Sequence, residues 1–146
     1  MIGVVGIGNP LRCDDGVGPY IASAIDDMHL SGVEVMITQQ LHLEFIDKFL
    51  QYDKVVIVDA CVTGCDFDFY PIKKAQERRV ASSHHLDVNL LSDLAKRLYG
   101  KEIDLYICSV RGENFEIGEV VSTKVLACAQ KAIEVICAFL RSKDHA

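Results

Sequence analysis

Four short apolar runs, each followed by a stretch of helical periodicity, constrain this chain more than any other feature. They are "IGVVGIG" (2–8), "VEVMIT" (33–38), "KVVIVDA" (54–60) and "IDLYICSV" (103–110). Runs of this length, bounded by glycine or polar clusters, read as buried strands. Between them, apolar residues recur at helical spacing: Val17, Tyr20, Ile21, Ala24 and Met28, then Leu41, Phe45, Ile46 and Phe49. "DVNLLSDLAKRLYG" (87–100) predicts a helix with Asp87 as N-cap and Gly100 just past its end. Ser122 is placed to cap a last helix whose stripe is Val125, Cys128, Ala132, Ile136 and Phe139. "FDFYPI" (67–72) alternates, and Pro71 restricts it to an edge or a strand end. Segments 73–85 and 111–118 read as loops. Strands alternating with helices predict an α/β fold with a mostly parallel sheet. Right-handed crossovers then give the order 2-1-3 for the first three strands, with a crevice beyond the carboxyl ends of strands one and three. The loop after strand one and Asp59, at the end of strand three, are expected to meet there.

Composition narrows the partners. The 146 residues predict a single domain spanning 1–146, half of them apolar and a quarter charged. With 15 basic and 21 acidic residues the formal charge is −6, which argues against nucleic acid and against an anionic membrane surface. No apolar stretch approaches the roughly 18 residues that span a bilayer, and the opening "MIGVVGIGNP" lacks the basic segment of a secretory signal. A cytoplasmic location is therefore expected, with the six cysteines (13, 61, 65, 108, 128 and 137) as free thiols. Cys108, Cys128 and Cys137 lie in apolar patterns and read as packing residues. Cys61 and Cys65 form a C-x3-C without the second pair that a zinc set needs, so they too read as packing and loop thiols.

The segment "GIGNPLRCDDGVG" (6–18) carries the chemistry. Its glycines suggest a phosphate-binding turn, but the third glycine of a dinucleotide fingerprint is replaced by Leu11, and strand two ends in "TQQ" without the ribose-binding acid. Asp14 and Asp15 would also repel a pyrophosphate. Two carboxylates suit a cation instead. Asp15, Asp59 and an imidazole from "SSHH" (82–85) make a plausible divalent-metal set with open positions, in which either His84 or His85 supplies the nitrogen. Gly16 and Gly18 are expected to let the backbone turn after the acids, and Asn9 to cross-link the loop. Asp14 reads first as a loop cap, with a general base or an acid behind the ligands as its other role. Cys13 flanks the acids and reads as an oxidisable thiol whose reactivity the negative neighbours lower. "KKAQERR" (73–79) reads as a solvated loop, and Gln39, Gln40 and His42 as turn residues or a path for a substrate tail.

Taken together, these residues resemble the endopeptidases that mature the large subunit of [NiFe]-hydrogenases. The likeness rests on G-x-G-N-x-(L/M)-x-x-D-(D/E)-x-x-G at 6–18, the strand "VVIVDA" (55–60), "SSHHL" (82–86) and "SVRGENFEIGEVVS" (109–122). It runs from about residue 3 to about residue 137. The resemblance implies a three-layer α/β/α sandwich of the phosphorylase/hydrolase-like kind, with a mostly parallel twisted sheet. It implies removal of a C-terminal peptide from a hydrogenase large-subunit precursor. Carried over residue by residue, it makes Asp15, Asp59 and His84 both the metal ligands and the catalytic set, with His85 as the alternative and Asp14 behind them. It also implies no permanent cofactor: nickel arrives with the precursor, and other divalent metals can occupy the site in vitro. Two other readings remain at this stage, a nickel-binding chaperone on the same fold and a peptidyl-tRNA hydrolase suggested by "GIGNP". The second wants a basic channel and a histidine soon after the loop, and residues 19–28 contain none.

Overall fold

The computed structural model describes residues 1–62, 66–72 and 83–142, with 83–88 as backbone only. Five strands, β1 (Ile2–Ile7), β2 (Val33–Thr38), β3 (Lys54–Cys61), β4 (Phe67–Pro71) and β5 (Leu105–Arg111), form one sheet in the order β2-β1-β3-β5-β4. β2, β1, β3 and β5 pair in parallel, and β4 runs antiparallel at the far edge, where Pro71 ends it without disturbing a central ladder. The predicted 2-1-3 order is therefore present.

The period of two along each central strand divides the core. Ile2, Val4, Val56, Val58, Cys108 and Val110 face one way, onto α1 (Val17–Asp26) and α4 (Thr123–Arg141). Val5, Ile7, Val55, Ile57, Leu105 and Ile107 face the other, onto α2 (Phe45–Phe49) and α3 (Ser83–Tyr99). Helices on both faces explain why these strands are apolar throughout, and they make the α/β/α sandwich.

Several local expectations are corrected. α1 buries Val17, Ile21, Ala22 and Ile25, while Tyr20 and Met28 are 39% and 43% exposed, so the buried stripe lies one position away from the predicted one. The helix predicted over 41–51 shortens to Phe45–Phe49, although Leu41, Ile46 and Phe49 are buried as expected. α3 begins at Ser83, four residues before the predicted cap Asp87, so His84 and His85 belong to a helical turn and not to a loop. Its other end agrees with expectation: Gly100 follows in the left-handed region at φ +63°.

Gly16 and Gly18 were expected to supply sharp turns. Gly16 instead has an ordinary φ of −77°, and Gly18 lies inside α1. What Gly18 provides is close approach: a Cβ there would sit 2.7 Å from the Val58 carbonyl oxygen and closer still to that of Ile7. The first turn of α1 is thereby pressed onto the carboxyl ends of β1 and β3.

Candidate active site

β1 ends at Ile7, and the chain turns through Gly8, at φ +150°, into the acidic loop. The Asn9 side chain accepts the Leu11 N–H at 2.9 Å, closing the turn as expected of that residue. Cys13–Gly16 form a single 3-10 turn, with Cys13 in the left-handed region at φ +46°. This turn contacts β3. The two adjacent aspartates then diverge in role.

Asp14 is fully buried at 0% exposure. Its carboxylate accepts the N–H of Glu113 at 2.7 Å, of Asn114 at 2.9 Å and of Ser122 at 2.6 Å, and the Ser122 hydroxyl at 2.8 Å. Burial pushes this carboxyl up, but the hydrogen bonds from Ser122, Glu113 and Asn114 outweigh burial and hold it below its ordinary value. Loop 112–122 is also stitched to the acidic loop by backbone bonds: Gly118 N–H to Leu11 O, Cys13 N–H to Gly118 O and Asp14 N–H to Asn114 O. Arg12 adds a bond from Nε to the Phe115 carbonyl at 3.2 Å. Asp14 is a clamp between two loops a hundred residues apart in sequence. Ser122 does not cap α4 with its side chain as expected, because its hydroxyl is given to Asp14. Ser122→Ala is expected to cost about 1–2 kcal/mol, through one lost charge-assisted bond, as read by urea unfolding at neutral pH.

Asp15 stays at the crevice, half-buried. Its Oδ2 accepts the Asn9 N–H at 2.8 Å, which folds the carboxylate back over its own loop. Asp59 is 4% exposed at the carboxyl end of β3, in register with Ser109 of β5, and its Oδ1 accepts the Ala60 N–H at 2.8 Å. Both aspartates therefore lie at the carboxyl edge of the β1–β3 pair. Asp59 continues the β3 positions Val55 and Ile57 on the face that α3 covers. α3 ends at Tyr99, shortly before β5 begins at Leu105, so it runs against the strand direction. Its first turn, with His84 and His85, accordingly belongs to the same edge of the sheet as Asp59. The two histidines are described as backbone only, and among the described residues no three His, Cys, Asp or Glu side chains cluster as a metal site.

The remaining candidates separate cleanly. Cys13, Cys61, Cys108, Cys128 and Cys137 are all buried, as packing residues should be. Burial, with smaller effects from Asp68 and Cys61, pushes the Cys108 thiol up to about 12. Cys13, expected to be oxidisable, is screened by its buried position under Gly118. Gln39 and Gln40 are exposed, the Thr38 hydroxyl donates to the Gln40 carbonyl at 2.9 Å, and the His42 ring lies 5.8 Å from that of Phe45. Cys65 and "KKAQERR" (73–79) lie outside the described residues. The backbone donors of Glu113 and Asn114 that hold Asp14 carried no local signal, since a backbone amide has no sequence signature. Among the described residues, no helix is long and apolar enough to cross a membrane.

Comparison with known proteins follows the same lines. No protein-family model matches the chain. It is 30% identical over 145 residues to a protein of Methanocaldococcus jannaschii assigned as a hydrogenase maturation protease, covering 91% of this chain and 92% of the relative. The fold superimposes on the hydrogenase maturating endopeptidase HybD of E. coli with a TM-score of 0.80, at 22% identity, covering 96% of this chain and 91% of that one. It also superimposes on the [NiFe] hydrogenase maturation protease HybD of Thermococcus kodakarensis with a TM-score of 0.74, at 18% identity, covering 94% and 97%.

Proposed function

From the premise that this chain belongs to the hydrogenase maturation proteases, a family of peptide-bond hydrolases, we propose that it removes a C-terminal peptide from the large-subunit precursor of a [NiFe]-hydrogenase in the cytoplasm, after nickel has been installed. The observation that supports this most is the division of labour between the neighbouring acids. Asp14 is consumed by the 112–122 loop, which leaves Asp15 to share the crevice edge with Asp59.

Asp15, Asp59 and His84 engage nickel carried by the substrate. Two carboxylates and one imidazole suit a borderline divalent ion and leave positions for the precursor's own ligands. A set that is incomplete without the substrate binds the ion well only when the precursor brings it, which ties cleavage to a finished metal centre. The ion supplies Lewis-acid activation of the scissile carbonyl or of the attacking water. Asp15 contributes an oxygen from a carboxylate already oriented by the Asn9 N–H, and Asp59 contributes one from a rigid strand end. Asp14 acts from behind, by fixing the turn on which Asp15 sits.

With a nickel-loaded precursor as substrate, Asp15→Asn, Asp59→Asn and His84→Ala are each expected to slow cleavage by about 100-fold or more, the loss of a few kcal/mol of transition-state stabilisation. His85→Ala is expected to retain most activity. Loss at His85 with retention at His84 would move the ligand one residue along the helix. Retention in all four variants would remove the site from the chemistry.

A further inference from the structure

A cavity of about 530 Å³ opens beyond the ends of β3 and β5. Its walls include Val62, Phe115 and Cys128, and its polar groups are Asp66, Arg111, Glu113 and Lys124. The cavity lies at the carboxyl edge of the sheet, on the side that α4 covers. Arg111 pairs with Cys61 two positions beyond the Asp59–Ser109 pair, which places it about 7 Å further along the strands at the usual rise per residue. Gly112, also in the lining, packs against Asp14: a Cβ there would lie 2.9 Å from that of the aspartate.

The charges in this cavity are unequally matched. Lys124 lies between Asp66 at 3.9 Å and Glu113 at 3.8 Å. Among the described residues, the Arg111 guanidinium has no carboxylate partner, in a chain that carries six more acidic than basic groups. Backbone bonds hold its base in place: the Arg111 N–H reaches the Asp66 carbonyl and the Gly112 N–H reaches the Cys61 carbonyl, each at 2.9 Å. A planar guanidinium on a fixed strand end, beside apolar walls, is a fork for a carboxylate.

We propose that this cavity is a specificity subsite in which Arg111 binds a carboxylate of the peptide substrate. The inference rests on the protease reading for its substrate but not for its test. Arg111 pairs with the acid, and Val62 and Phe115 supply apolar surface in the same lining. The carboxylate belongs either to an acidic side chain or to a chain terminus.

The test titrates isotope-labelled protein by NMR with N-acetyl-Val-Ala-Glu-Ala-amide, with its Gln counterpart, and with N-acetyl-Val-Ala-Ala bearing a free carboxylate. Following the Gly112 amide and the Arg111 Nε–H needs neither nickel nor cleavage. The expected result is that the Glu peptide binds about ten-fold or more tighter than the Gln peptide. Arg111→Gln is expected to erase that difference and Arg111→Lys to keep part of it, while both variants melt as wild type does. A response to the free-carboxylate peptide, and not to the Glu peptide, assigns the subsite to a chain terminus. Equal binding of the Glu and Gln peptides, together with no response to the free carboxylate, overturns the subsite. So does an unchanged preference in Arg111→Gln, or an absence of shifts at Gly112 with every peptide. If the carboxylate preference is found and no precursor is ever cleaved, the subsite stands and the protease reading falls.

Discussion

Asp14→Asn is expected to lower the unfolding free energy by about 3 kcal/mol. The carboxylate accepts four hydrogen bonds on two oxygens with no solvent contact. An asparagine keeps one oxygen and turns an amide nitrogen toward donors that need an acceptor. At least one of the Glu113, Asn114 and Ser122 N–H groups is left buried and unpaired. Urea unfolding at neutral pH measures the cost, and a loss below about 1 kcal/mol contradicts the clamp.

The same group sets an acid limb. Its pKa is held below the ordinary value in the folded state, so the unfolded chain takes up this proton first as pH falls. Its contribution is complete above the unfolded carboxyl value, near 4, and is lost as pH falls through the lower folded value. Wild type should lose stability steeply below pH of about 4, and Asp14→Asn should show a shallower fall over the same window.

Gly8→Ala is expected to cost about 3 kcal/mol and to slow cleavage by about 100-fold. Two effects act together at this position. The residue sits at φ +150°, which L side chains rarely adopt, and a Cβ would land on the Asp15 carbonyl oxygen, with the Pro19 ring 3.3 Å away. Neither neighbour is a flexible side-chain end. The acidic turn must move, and displacing a ligand-bearing turn by an ångström is enough to remove activity even when the chain still folds. Steady-state cleavage and unfolding measured on one preparation separate the two effects. An alanine variant with wild-type cleavage would show that the position of Asp15 does not matter.

The frame of this fold was legible because it is written in local pattern. Apolar runs bounded by glycine or polar clusters gave β1, β2, β3 and β5, Pro71 placed β4 at an edge, and chirality gave the 2-1-3 order. Helix details were less legible. α1 buries Ala22 and Ile25 where Tyr20 and Met28 were expected, because glycine-mediated contact with the sheet through Gly6 and Gly18 decides which face turns inward. α3 starts at Ser83 in spite of the good capping residue at Asp87, so a strong local cap marked the wrong boundary. In the site, sequence singled out both acids and favoured a capping role for Asp14. What it capped was out of reach, since Glu113 and Asn114 act through backbone amides about a hundred positions away. Ser122 was read as a helix cap for the same reason: the competing partner, Asp14, is distant in sequence. Arg111 drew no attention on the sequence alone, because an arginine at a strand end has no periodicity to betray a cavity beside it.

The central claim is that cleavage waits for nickel in the substrate. Purified protein should be incubated with the same large-subunit precursor prepared with and without nickel, and the products weighed by mass spectrometry. The account predicts loss of a C-terminal peptide from the nickel-loaded precursor and an intact nickel-free one. Equal cleavage of both would contradict nickel recognition, and binding without cleavage of either would make the chain a chaperone on a protease fold.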